Sequence, residues 1–416
     1  MLRIPTSSRP RWQERVESKG LTFHTLDGEP YWDESAYYLF ESREIDAIEA
    51  ATQQLHELCL KAVEHVIRER RLAELTIPAE FHPFIEQSWE RDERSIYGRF
   101  DLSYDGAGPP KMLEYNADTP TALLEAAVIQ WFWLEDLRAT MPEHERHAVD
   151  QFNSIHEALI DAWKRVRAQM GPAVWFSGLG EPAEDLMTVT YLRDTAIQAG
   201  LVTEFLEPAS IGWDARRGVF TDLRERAIPL LFKLYPWEWL IQESFGRFLP
   251  NAPTRWLEPP WKMVLSNKAI LAILWELFPD CPYLLEARFE PFGDSYVIKP
   301  ILSREGANVT ILHRGEVVAE TDGEYGEAAV VYQALAPLPE FAGRYPVLGS
   351  WIVDGESRGL GIREDASPIT SNFSRFLPHI FRKQAHVKPP GFGVEGKAKA
   401  TPAGGSGALW DKWLDP

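Results

Sequence analysis

Residues 96–116 read Ile96-Tyr-Gly-Arg-Phe-Asp-Leu-Ser-Tyr-Asp-Gly-Ala-Gly-Pro-Pro-Lys-Met-Leu-Glu-Tyr-Asn116. An aromatic and apolar alternation, a Gly-Ala-Gly-Pro-Pro break and a second alternating stretch predict a β-hairpin. The period of two puts Arg99 and Asp101 on one face of the first strand, and Glu114 and Asn116 on one face of the second. Paired across the hairpin, these four polar groups converge. Two carboxylates and an amide oxygen form a hard-oxygen cluster suited to magnesium, which keeps its other positions for water and nucleotide phosphates. Arg99 beside them is suited to bidentate binding of a phosphoryl group. A solvated hairpin face with ordinary salt bridges is the other reading of the same pattern.

Upstream, Ile45, Ile48, Ala51, Leu55, Leu58, Ala62, Val63 and Val66 recur at helical steps and predict one long amphipathic helix over 43–73. Downstream, helical spacing resumes over 119–140 with Pro120 in the first turn. A helix at 150–170, a strand at 173–177, a helix at 184–200 ended by Gly200 and a strand at 201–206 suggest a small α/β unit. Residues 228–235 read as a further strand, and 266–278 as a helix capped by Ser266 or Asn267. From 294 onward a strand enters a Gly-containing loop at 303–307. Short apolar runs at 309–312, 317–319, 329–332, 346–353 and 359–363 then suggest one antiparallel sheet. The fold class expected is α+β. Residues 384–409 collect Lys, Pro, Gly, Ala and Ser, the composition of a flexible tail, and Leu409–Leu414 is amphipathic.

Bulk properties narrow the function. The chain has 416 residues, more than one core usually organises, with 45% hydrophobic and 25% charged residues. No apolar run approaches the roughly 18–20 residues that cross a bilayer, and no signal peptide is expected, so a cytoplasmic location without membrane association follows. Cys59 and Cys281 are too few for a disulfide framework or a Cys-based zinc site. A net charge of −19 argues against nucleic acid as a partner and favours cationic substrates, although acidity also serves solubility.

Three further constellations carry chemistry. Lys268 at a helix start, Lys299 at a strand end and the Ser303–Asn308 loop supply positive charge and close backbone approach for phosphates. There is no G-x-x-x-x-G-K-[ST] and no G-x-G-x-x-G, so neither Walker-type nor dinucleotide binding is expected. Tyr332–Pro339 is an apolar strand breaking into prolines, able to sandwich a base or simply a strand exit. Arg363-Glu-Asp365 follows a Gly-rich strand and could serve phosphate and metal or cap a turn.

Arg99-Phe-Asp101, Glu114-Tyr-Asn-Ala-Asp118, Lys299-Pro-Ile with Arg304, Tyr332-Gln333-x-Leu and Gly361-Ile-Arg363 occur in the order and approximate spacing of the synthetase domain of glutathionylspermidine synthase. Over roughly residues 10–385 the chain resembles that family. The resemblance implies an ATP-grasp-like fold with the nucleotide between two α+β lobes under a lid, plus a small α/β subdomain. The divisions expected are 1–150, an N-terminal lobe with the metal and phosphate hairpin; 151–255, the small subdomain; 256–385, the ATP-binding lobe; and 386–416, the tail. It implies ATP and Mg2+ as cofactors, with Asp101, Glu114 and Asn116 as metal ligands and Arg99 and Arg363 stabilising the transferred phosphoryl group. Lys268 and Lys299 would bind phosphates, Arg304 and Gly306 would belong to the lid, and Gln333 and Leu335 would line the adenine pocket. Asp118, Thr119 and Thr121 would face the acyl substrate. The expected activity is ATP-dependent joining of a carboxylate to an amine, with glutathione and a polyamine as possible substrates and no amidase activity. The family's acidic pair near the amine falls around Glu181, Glu184 and Asp185. A non-catalytic nucleotide- or metabolite-binding scaffold of the same fold is the alternative.

Overall fold

The computed structural model describes residues 1–181, 183–371 and 374–383. The expected tail at 386–416, including Leu409–Leu414, lies outside the described residues. The hairpin forms as read, with strands Tyr97–Ser103 and Lys111–Asn116 pairing Arg99 with Asn116 and Asp101 with Glu114. Alternation sends Phe100 and Tyr115 to the opposite face, where their rings stack at 3.9 Å between centroids. That apolar face lies on the helix Ser42–Arg68, whose Thr52 hydroxyl meets the Ser350 hydroxyl at 2.7 Å. The helix carries a Glu41–Glu44 capping box and ends earlier than the apolar spacing suggested. Arg70 turns left-handed there (φ 58°), and Leu72–Leu75 continues as a 3-10 turn.

The hairpin is not a sheet of its own. Tyr345–Val353 pairs antiparallel with Tyr97–Ser103, then Glu356–Asp365 and Arg375–Leu377 follow, giving a five-stranded antiparallel sheet. The single C-terminal sheet expected from 294–363 is therefore corrected to two. Ala287–Arg288, Val330–Ala334, Tyr296–Pro300, Thr310–His313 and Glu316–Glu320 form a separate five-stranded antiparallel sheet. Short apolar strands read alike whichever sheet they join, because periodicity says which face is buried and not against what.

The α/β unit is a parallel sheet in the order Arg255–Leu257, Leu230–Leu234, Ala173–Gly178, Val202–Leu206. Helices Ile155–Met170 and Ala183–Gln198 accompany it, with Trp163, Phe176 and Phe232 in mutual ring contact. Chain order and sheet membership diverge once more in a four-stranded sheet. There His379–Arg382 runs parallel to Ala36–Glu41 and antiparallel to Val149–Asp150, with Leu2–Pro5 at its edge. Residues of the expected first and third divisions thus share two sheets.

The helix expected over 119–140 starts later. Ala122 has φ 65°, and the helix runs from Leu123 through a five-residue π turn, Glu125–Ile129, into Gln130–Thr140. Residues 120 and 121 instead give their carbonyls to the hairpin: Tyr97 Oη donates to Pro120 O at 3.1 Å and Arg99 to Thr121 O at 2.9 Å. No helix of the described residues is long and apolar enough to cross a membrane.

Candidate functional site

The polar face of the hairpin is a dense charge network. Asp101 Oδ1 accepts from Arg99 Nε at 2.7 Å, and its Oδ2 accepts from Arg363 at 2.6 Å and Asn116 Nδ2 at 3.1 Å. The same Asn116 amide donates to Glu114 Oε1 at 3.2 Å, so one amide ties the two carboxylates together. Arg363 arrives from the neighbouring strand Glu356–Asp365, two sheet positions from the hairpin. Between them lies Gly349, where a Cβ would stand 2.9 Å from Arg99 Cδ; the missing side chain gives the guanidinium its path across the sheet. Glu364 and Asp365 of the charge triplet do not join. Glu364 is buried against Arg3 and Tyr38, and Asp365 holds the Ser371 and Ser374 hydroxyls.

Lys299 comes from the other five-stranded sheet, and Lys268 from the turn that leads into the helix Ile270–Leu277. Lys268 Nζ lies 3.2 Å from Glu114 Oε2 and also bonds Ser303 O, and Asn267 Oδ1 caps the turn by accepting from Ala269 N at 2.9 Å. Lys299 Nζ donates to Leu113 O at 2.9 Å and to Gln333 Oε1 at 2.7 Å. Burial opposes ionisation of Glu114, but Lys268 and Lys299, and then Arg363, hold it well below the usual carboxylate range. Burial pushes Lys299 down to about 8.

Asp101, Glu114 and Lys299 line a cavity of about 370 Å³ whose walls also include Val297, Val309, Ile311, Leu335 and Ile369. Gln333 lines it too, but its amide is committed: Oε1 to Lys299 and Nε2 to Met112 O at 3.0 Å. Sharing Glu114 with that cavity, a polar pocket of about 130 Å³ on the same face of the hairpin is lined by Arg99, Asn116, Thr121, Glu184, Asp185 and Arg363, among others. Gly306 borders both cavities, at φ 71° and with a would-be Cβ only 2.3 Å from Thr370 O, so no other residue fits the loop there. Arg304 of the same loop spans to Thr119 Oγ1 at 2.7 Å and to Glu238 Oε1 at 2.6 Å.

Asp118 is placed differently from the substrate-facing position expected of it. It is buried, and its two oxygens take Lys233 Nζ and the Trp237 N–H, the latter at 3.0 Å. A carboxylate so paired braces the turn after the hairpin, because releasing it would strand a buried lysine. Sequence reasoning missed Tyr31 and Glu238, which lie far from the hairpin in the chain, and Glu125, which follows it closely; none of the three sits in a local motif. Glu184 and Asp185 were noticed only through the resemblance. Burial raises Glu184, and burial with the Glu184 charge pushes Asp185 up to about 7.

Among the described residues no cluster of three or more His, Cys, Asp or Glu is arranged to hold a metal. Two carboxylates bridged by one amide nevertheless fit magnesium, whose remaining positions are commonly taken by water and nucleotide phosphate.

The profile of the glutathionylspermidine synthase preATP-grasp family matches residues 3–382. The chain belongs to the glutathionylspermidine synthase family. A Haemophilus influenzae protein bearing the provisional name acid–amine ligase is 41% identical over 390 residues, 90% of this chain and 98% of that protein. The bifunctional glutathionylspermidine synthetase/amidase of Escherichia coli is 30% identical over 84% of this chain, and trypanothione synthetase of Crithidia fasciculata is 31% identical over 81%. The match spans 59% and 55% of those two longer proteins. Among solved structures, a glutathione synthetase-like effector of Globodera pallida superposes with a TM-score of 0.51 at 13% identity, covering 90% of this chain and 98% of that one. This glutathionylspermidine synthase family member thus has the glutathione synthetase-like, ATP-grasp type of fold.

Proposed function

We propose that this protein uses ATP to join a carboxylate to an amine through an acyl phosphate. The observation that carries the reading is the order of compartments: an apolar slot, a charged junction with two carboxylates and four cationic side chains, and a polar pocket beyond it. The slot suits a purine, with Leu335 against the ring and Gln333 holding Lys299 in place rather than reading the base. Lys268 and Lys299 then take the phosphates. Asp101, Glu114 and Asn116 would hold magnesium, which supplies neutralisation of phosphate charge when bound.

In the polar pocket a substrate carboxylate oxygen attacks the γ-phosphorus and ADP leaves. Arg99 and Arg363 neutralise the transferred group, and both are preorganised by Asp101. The amine nitrogen then attacks the acyl carbon and inorganic phosphate departs. Arg304, clasped to Thr119 and Glu238, keeps the loop over the acyl phosphate and excludes water. The acidic side chains of Glu184 and Asp185 favour a cationic amine, and glutathione with spermidine is the pair suggested by the relatives' names. The deciding experiment measures ADP release with each substrate alone and with both, while mass spectrometry seeks the amide. Coupled release with adduct is expected. Tight nucleotide binding without turnover on any acid–amine pair would overturn the reading in favour of a scaffold.

A further inference from the structure

An amine that attacks an acyl phosphate must first lose a proton, and the route for that proton is a question the charge network does not answer, since Asp101 and Glu114 are tied to cations. We infer that Glu125, acting through the Tyr31 hydroxyl, accepts the proton of the amine nucleophile. The inference rests on the ligase reading of the polar pocket.

Tyr31 lines that pocket, and its Oη donates to Glu125 Oε1 at 2.7 Å. Glu125 is fully buried, and its second oxygen, Oε2, has no hydrogen-bond partner. A buried carboxylate oxygen without a donor is costly, and such a group calls for a reason. The residue also opens the π turn Glu125–Ile129, an irregularity often found at functional sites. Its irregular backbone is held by side chains: Gln130 Nε2 donates to Ala126 O at 2.6 Å and Asn153 Nδ2 to Ala127 O at 3.1 Å. Gly361, on the strand that carries Arg363, leaves the room into which Ala126 packs.

The charged groups facing Glu125 are Glu184 from the helix Ala183–Gln198 and Arg99 from the hairpin, with Tyr31 between Glu125 and the pocket. Burial and then the Glu184 charge push Glu125 up to about 7, near the working pH of a proton acceptor. Tyr31 is raised well above its ordinary value by burial and then by Glu125, so it stays protonated and relays. It hands its own proton to Glu125 as it takes one from the ammonium. The carboxylate becomes a carboxylic acid and the ammonium a neutral amine. The nitrogen lone pair forms the C–N bond, the acyl C–O bond to phosphorus breaks, and the second N–H proton leaves with inorganic phosphate.

The test compares wild-type protein, Glu125→Gln and Tyr31→Phe with ATP, magnesium and glutathione, using either spermidine or hydroxylamine as nucleophile. Hydroxylamine is largely unprotonated at neutral pH and traps acyl phosphates without a base. Both variants should lose about 100-fold in amide formation yet make hydroxamate at the wild-type rate. The wild-type amide rate should rise with pH through about 7, and that rise should vanish in Glu125→Gln. Equal loss with both nucleophiles would make the pair structural and overturn the inference, as would undiminished amide formation. Wild-type protein that makes hydroxamate but no amide would overturn it too, since no amine proton is then transferred. Absence of hydroxamate from wild-type protein would instead sink the ligase reading on glutathione, and the inference with it.

Discussion

Asp101 accepts from Arg99 at both oxygens and from Arg363 and Asn116 at one of them, while Glu114 faces Lys268 and the Asn116 amide. These contacts do opposite things to mutants. Glu114→Gln keeps the shape of a partly buried side chain and removes the charge, so ATP turnover should fall about 100-fold or more, while the thermal midpoint moves by only about 4 °C. Turnover at the wild-type level would remove Glu114 from the site. Lys299→Ala differs, because Leu113 O and Gln333 Oε1 both lose a donor. It should cost about 1–3 kcal/mol of stability in urea unfolding and weaken nucleotide binding in calorimetry. Native nucleotide affinity at that stability loss would make Lys299 a structural lysine. Much of this residue scale was legible beforehand, because Arg99, Asp101, Glu114 and Asn116 sit at strand positions where alternation alone fixes the face. The burial of Asp118 was not legible, since its partners Lys233 and Trp237 stand more than 100 residues away.

At the scale of elements, the site depends on where strands cross. Gly349→Ala puts a methyl group against Arg99 in a strand that pairs on both sides. The expected result is a loss of phosphoryl transfer out of proportion to stability, read as a fall in kcat with the unfolding midpoint little changed. Comparable loss of both would mean that the methyl group disrupts the sheet rather than the guanidinium. The loop at 303–308 makes a second element-scale case. Arg304→Ala removes the bonds to Thr119 and Glu238, so ADP release without amide should rise relative to coupled product. An unchanged ratio would deny the loop a water-excluding role. Element types were readable from periodicity, as the long helix, the hairpin and the parallel α/β strands illustrate. The start at 119 was not, because the carbonyls of Pro120 and Thr121 are captured by Tyr97 and Arg99 instead of by a helical turn.

For the molecule as a whole, C-terminal strands complete N-terminal sheets. Removing residues 375–383 would take away Arg375–Leu377 from the site sheet and His379–Arg382 from between Ala36–Glu41 and Val149–Asp150. A chain ended at residue 374 should show no cooperative thermal transition, whereas a retained transition would mean that these sheets stand without their last strands. Stability also carries the mark of the buried Glu125. Its folded value near 7 lies above the ordinary carboxylate value of 4.5, so the folded state binds the extra proton between those pH values. The sign makes this contribution fully present below about 4.5 and lost as pH rises through about 7. Glu125→Gln should therefore match wild-type stability near pH 4.5 and exceed it by on the order of 3 kcal/mol at pH 8. A pH-independent difference would show that Glu125 does not titrate in this range.

By itself the sequence determined the hairpin, the faces of its charged residues, the long helix and the family, because alternation, helical spacing and short motifs are local properties. Only the tertiary structure decided that two separate antiparallel sheets meet around the charged junction. It also decided that Asp118 is a brace, and that Tyr31 and Glu125 stand beside a pocket built by residues far along the chain. The physical reason is that strand partnership and the neighbours of a buried charge are set by long-range packing, and no period or spacing along the chain encodes them.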